Sequence, residues 1–148
     1  MRRRKNSRSK KGKIRNATKC TYKGIKFRSK LELFTYKQLE QAGIKSNYET
    51  KRFTLMDGFH FKAESIEPRP KGYINNTMKV RAITYTPDFI DPNGKWIIEV
   101  KGFANDVFPL KWKLFKNYLN QNSVPVPTLY LPKNQTQVKK TIELIKNL

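Results

Sequence analysis

The stretch Tyr85-Thr86-Pro87-Asp88-Phe89-Ile90-Asp91-Pro92-Asn93-Gly94-Lys95-Trp96-Ile97-Ile98-Glu99-Val100-Lys101-Gly102 reads as a β-hairpin. Asp91-Pro92-Asn93-Gly94 is a strong turn signal between two runs of β-branched and aromatic residues. The incoming strand is expected over Met78 to Phe89 and the return over Lys95 to Lys101, ended by Gly102. Side chains alternate along a strand, so Glu99 and Lys101 share one face. Ile98 and Val100 take the other face, where a helix can cover them. Asp88 ends the first strand, and antiparallel pairing can bring it beside Glu99.

Outward from the hairpin, helices and strands are expected in a mixed order. Toward the N-terminus, Tyr22 to Phe27 reads as a short strand or turn. A helix follows from Lys30 to Ala42, with Ser29 as N-cap, Gly43 as terminator, and Leu31, Phe34, Leu39 and Ala42 on its apolar face. Strands are expected over Tyr48 to Leu55 and Phe59 to Ala63, with a turn at Asp57-Gly58 and a loop from Glu64 to Asn76. Toward the C-terminus, Pro109 suits the first turn of a helix reaching about Asn120. Thr128 to Leu131 reads as a strand, and Gln135 to Asn147 as a last helix with Val138, Ile142 and Ile145 inward. This is an α/β (α+β) plan, one mixed central β-sheet flanked by α-helices. The aromatic residues Trp96, Phe103, Trp112 and Tyr118 are expected in its core.

Charge narrows the function. The 148 residues carry 32 Lys and Arg against 11 Asp and Glu, a formal +21. A compact chain this basic calls for a polyanion partner. No apolar run approaches the roughly 20 residues of a spanning helix, and no apolar segment follows the basic N-terminus as in a secretory signal. With a single cysteine, Cys20, a reducing, cytoplasmic setting is expected. Nine of the first fifteen residues are Lys or Arg: Arg2, Arg3, Arg4, Lys5, Arg8, Lys10, Lys11, Lys13 and Arg15. Residues 1–20 therefore read as a disordered basic arm that contacts DNA, ahead of a folded domain over 21–148. Lys30, Lys113 and Lys116 are further candidate phosphate contacts, with Lys111 less certain; Arg69 and Lys71 can track a strand of DNA.

The acids are scarce, which gives their placement weight. Asp88, Glu99 and Lys101 put two carboxylates and an ammonium on one patch. Phosphodiester cleavage needs such a set: hard oxygens hold Mg²⁺ or Mn²⁺, which stabilises phosphate charge and lowers the pKa of a bound water. A lysine can orient the water or neutralise the transition state. The bland alternative is three ordinary charges on an exposed hairpin. Glu32 is a further candidate, but Ser29-Lys30-Leu31-Glu32 is also a capping box, in which Glu32 reaches back to the Ser29 amide.

The pattern Pro87-Asp88 with Glu99-Val100-Lys101 resembles the PD-(D/E)xK nuclease superfamily. More closely, the chain is similar to small phage endonucleases of that superfamily. The similar stretches are Tyr22 to Glu32 (YKGIKFRSKLE), Arg81 to Phe89 (RAITYTPDF), Glu99-Val100-Lys101-Gly102, Phe108, and Lys111 to Phe115 (KWKLF), in order from Tyr22 to Tyr118. The resemblance implies a restriction-endonuclease-like fold and a metal site of Asp88, Glu99 and Glu32, with Lys101 beside it. It also implies a Holliday-junction-resolving activity on branched DNA in phage recombination, repair or packaging. A phage-encoded chain would then work in the host cytoplasm, and two cuts across a junction would suit a homodimer. Some relatives place a glutamine where this chain has Glu49, and neither loop 59–77 nor the basic arm has a counterpart. The rival reading is a non-catalytic basic nucleic-acid-binding or virion-associated protein.

Overall fold

A computed structural model describes residues 17–103, 105 and 107–148; the basic residues Arg2 to Arg15 lie outside them. The chain runs β1 (Cys20–Tyr22), β2 (Ile25–Phe27), α1 (Lys30–Gln41), β3 (Asn47–Tyr48), β4 (Phe53–Met56), β5 (Ile66–Arg69) and β6 (Gly72–Asn75). It continues through β7 (Ile83–Tyr85), β8 (Phe89–Ile90), β9 (Trp96–Ile98), α2 (Phe108–Asn122), β10 (Thr128–Tyr130) and α3 (Gln135–Lys146). β1 takes in Cys20, one residue before the expected domain boundary. β1 and β2 form a hairpin whose turn residues Lys23 and Gly24 have φ of 48° and 79°, the twist that tight hairpins favour.

The central sheet has the order β10-β9-β8-β3. β8 pairs antiparallel with β9, with Phe89 opposite Ile98 and Ile90 opposite Ile97. The turn between them forms as its sequence predicts. Gly94 at φ 74° donates its amide to Asp91 O at 2.9 Å, and Asp91 Oδ2 accepts the Lys95 amide at 2.8 Å. β9 pairs parallel with β10, a geometry that needs a crossover, here supplied by α2. The sheet is thus mixed, as expected for an α+β fold.

Alternation along β9 divides the core. Trp96, Ile98 and Val100 join Leu39 of α1 and Val138, Ile142 and Ile145 of α3 in one cluster. Ile97 points the other way, into a cluster with Phe53, Tyr85, Phe108, Phe115 and Leu119. Helices therefore cover both faces, and Glu99 and Lys101 fall on the α2 side with Ile97. Phe89 is fully buried at the centre of the first cluster. Phe89→Ala is expected to lower the unfolding free energy by about 3–5 kcal/mol, read by urea denaturation. A loss under about 1 kcal/mol would place Phe89 outside the packed core.

Several expectations are corrected. Met78 to Phe89 is not one strand: Pro87 and Asp88 interrupt it, leaving β7 and β8 in different sheets. The expected strand over Tyr48 to Leu55 is likewise broken, with Glu49 at φ 48° between β3 and β4. Residues 64–76 are not a loop but hold the β5–β6 hairpin, and the strand expected over 59–63 reduces to one bridge, Phe59 with Val80. No turn forms at Asp57-Gly58. Of the four aromatic residues expected in the core, Trp96 is buried and Trp112 and Tyr118 pack against the second cluster, but Phe103 is 81% exposed.

Candidate active site

Asp88 and Glu99 come together because the β8–β9 register continues one step past Phe89 and Ile98. There the ladder changes character. Glu99 and Lys101 donate their amides to Tyr130 O at 2.9 Å and Pro132 O at 3.1 Å, extending the pairing toward β10. On the opposite side the Val100 amide turns to Asp88 Oδ2 at 2.7 Å. A side-chain carboxylate thus replaces a backbone acceptor, which locks Asp88 against the strand that carries Glu99. Lys101 Nζ lies 3.4 Å from Glu99 Oε1 and 4.8 Å from the centre of the Phe108 ring.

Both carboxylates are buried, and Glu99 Oε2 has no hydrogen-bond partner. Burial raises the Asp88 carboxyl well above the usual range, and the charges of Glu99 and Glu32 add to this. Burial raises Glu99 too, with Tyr85 and Lys101 pulling the other way. The Tyr85 hydroxyl is also buried and unpartnered, and it is pushed up by burial and then by Glu99. Two desolvated carboxylates, one with an oxygen that no hydrogen bond reaches, thus stand together at the end of the hairpin.

Glu32 lies in the same cavity of about 520 Å³ but is differently engaged. Its Oε1 accepts the Ser29 hydroxyl at 2.7 Å, and its Oε2 accepts the Tyr48 hydroxyl at 2.6 Å and the Arg28 amide at 3.1 Å. The Glu32 amide returns a bond to Ser29 Oγ at 3.2 Å. The capping box is present, with the Arg28 rather than the Ser29 amide as partner. Among the described residues no group of three His, Cys, Asp or Glu side chains is arranged to hold a metal ion. Of the expected set Asp88, Glu99 and Glu32, Glu32 shares the cavity with the other two, is held by three donors, and raises the Asp88 carboxyl through its charge.

The cavity also takes in Glu49, which sequence reasoning left open. Glu49 donates its amide to Asp88 O at 2.8 Å and meets Arg28 Nε at 2.8 Å. Burial raises its carboxyl, Arg28 lowers it, and Glu32 raises it further. Arg52 and Lys111 complete a cationic lining. Lys111 Nζ reaches Thr84 O at 3.3 Å, whereas Lys113 and Lys116 are exposed and outside the lining, as is Lys30. Of the three α2 lysines considered as phosphate contacts, Lys111 alone lines the cavity, and Lys113 and Lys116 lie on the exposed face of the helix. His60 is exposed and apart from it, and Cys20 is half-buried with its thiol 3.5 Å from Ser29 O.

The described residues define an α+β domain with a buried carboxylate pair and a lysine at the end of a central hairpin. Residues 11–129 match the model of a family described as Protein of unknown function (DUF1064), and the chain belongs to that family. No curated protein and no solved structure matches it. No helix among the described residues is long and apolar enough to cross a membrane.

Proposed function

We propose that this chain is a metal-dependent DNA endonuclease acting on branched duplex DNA. The observation that carries the proposal is the buried Asp88–Glu99 pair with its unpartnered Glu99 Oε2 and with Lys101 at 3.4 Å from Oε1. A pure DNA binder gains nothing from desolvated carboxylates facing a phosphate. Mg²⁺ commonly takes one or two carboxylates, completing its shell with waters and substrate phosphate, so the Asp88–Glu99 pair can hold one, with Glu32 beside it in the same cavity. When bound, such an ion supplies charge neutralisation at the phosphate and a more acidic water.

The chain's own residues do the rest. Asp88 is positioned by the Val100 amide and Glu99 by the strand backbone, so neither has to be ordered when substrate arrives. Lys101 lies within reach of Glu99 and offers an ammonium to a water or to phosphate oxygens. Arg28, Arg52 and Lys111 place positive charge around the acids and offset their repulsion of the backbone. The motif's resemblance to PD-(D/E)xK nucleases and the +21 charge support the same reading. A homodimer would place two such sites across a junction.

The test is cleavage of a labelled four-way junction, its linear duplex and its single strand, with Mg²⁺, Mn²⁺ or EDTA. Metal-dependent cutting of the junction is expected. Equal cutting of all forms removes the branched substrate from the proposal, and binding without cutting leaves the non-catalytic basic protein. The arm makes a separate prediction. Deleting residues 1–16 removes nine cations. If most of them meet phosphates, the slope of log K against log salt becomes shallower by several units, at about 0.9 per contact. An unchanged slope in fluorescence anisotropy titrations would assign the binding charge to the folded domain.

A further inference from the structure

The pairings β4–β7, Phe59–Val80 and β5–β6 follow one another along the chain as one irregular antiparallel ribbon. Phe53 is opposite Tyr85, Phe59 opposite Val80, and Arg69 opposite Gly72 at the tip. The root is anchored, since Phe53 and Tyr85 are buried in the second cluster, and Arg52, Thr84 and Tyr85 line the cavity. The distal hairpin is different. No residue of β6 is buried, and in β5 only Glu67 is even half-buried. A two-stranded hairpin with no covered face is marginal in water.

Its surface is unusual for a solvated loop. Directly opposed residues share a face, so Ile66, Pro68, Tyr73 and Asn75 form one side. That side is largely apolar, with Ile66 59% and Tyr73 75% exposed. The tip reads Arg69-Pro70-Lys71-Gly72. Lys62, Arg69, Lys71, Lys79 and Arg81 form no ion pair among the described residues. The neighbouring acids bond to other groups, Glu64 to Asn75 and Glu67 to Ser65 and Asn76, although the Arg69 charge also acts on Glu67 from the same face of the ribbon. Free cations beside exposed apolar side chains suit a polyanion with an apolar interior. Pairing this cationic face with the same face of a second copy would set like charges against each other.

We propose that the distal hairpin is a DNA-bending arm. Arg69 and Lys71 flank the minor groove of duplex DNA, while Pro70 and Tyr73 wedge against a base step. Basic side chains that read the groove together with apolar wedges are how minor-groove binders kink DNA, by about 20–90°. From Phe53 to Arg69 the strand extends at most about 50 Å, against about 34 Å for a turn of duplex. The arm thus deepens the endonuclease reading, on which it rests: it gives the substrate a contact away from the scissile phosphate and favours DNA already easy to unstack, as at a junction.

The test uses the full chain in EDTA with a 30-base-pair duplex labelled at both ends for energy transfer. The parent is expected to bring the ends closer. Pro70→Gly/Tyr73→Ala is expected to abolish most of that bend, and Arg69→Ala/Lys71→Ala to make the salt slope shallower by about 2. All four positions are exposed, so an unchanged melting temperature confirms the fold. An unbent parent complex, a bend that survives the first variant, or an unchanged slope in the second overturns the proposal. A slope change seen only on duplex RNA overturns it as well. Cleavage of the same duplex and of a junction is measured in parallel with Mg²⁺ or Mn²⁺. Failure to cut either removes the endonuclease reading without altering how the bend is scored.

Discussion

Glu99→Gln is expected to reduce metal-dependent cleavage by at least about 10²-fold, the scale of losing one group that stabilises transition-state charge. The substitution keeps shape and burial but removes the charge that a cation needs. DNA binding in EDTA should stay close to the parent, because affinity comes from the cations. Stability in EDTA should rise. Glu99 is desolvated with an unpartnered oxygen, and a neutral amide at that position avoids burying the charge. A variant that cuts like the parent would remove Glu99 from the chemistry. One that loses both cleavage and melting temperature would show only that the hairpin had been damaged.

The second large effect joins pH to metal. Asp88 and Glu99 both have folded-state pKa values raised above their unfolded ones, chiefly by burial. Between the ordinary carboxylate range and those raised values, the folded state holds protons that the unfolded state has released. Their contribution therefore falls as pH rises through that window, in the direction opposite to a salt-bridged acid. In EDTA, the melting temperature of the parent is expected to fall with rising pH relative to Asp88→Asn/Glu99→Gln. Under the proposed function a divalent ion is expected to reverse this, by binding the ionised pair in the folded state. At one hundred times its dissociation constant it adds about 2.7 kcal/mol, less at low pH, where protons compete. Differential scanning fluorimetry with and without Mn²⁺ at pH 5.5 and 7.5 reads both effects. A shift of equal size in the double variant would place the ion elsewhere.

Much of the site was legible because it is local. The turn at Asp91 to Gly94 fixes the register of β8 and β9, and that register alone brings Asp88 to Glu99. The capping box at Ser29 was legible too, and its Ser29 half forms, while the Glu32 carboxylate takes the Arg28 amide in place of the Ser29 one. Its energetic setting was not. Glu32 is held by Tyr48, sixteen residues away, at a distance of 2.6 Å, and nothing in the helix sequence announces that bond. The same holds for Lys111, which belongs to the cavity because α2 crosses β7 near Thr84. Helical spacing alone favoured Lys113 and Lys116. Residues 64–76 were misread because two prolines and a glycine look like loop chemistry. Pro68 is tolerated there because a two-stranded ribbon leaves each strand with an edge.

By itself the sequence determined the mixed class of the fold, the three helices, the central hairpin, the basic character and the carboxylate–lysine pattern. Each depends on neighbours within a few residues or on summed charge, and such quantities survive without coordinates. Tertiary structure decided which carboxylates are desolvated, which are tied to donors, and which cations face them. It also decided that a proline-broken segment continues β4 and β7 outward as an exposed ribbon. Those outcomes depend on contacts between distant segments, where burial sets the cost of a charge and a single hydroxyl can occupy a carboxylate.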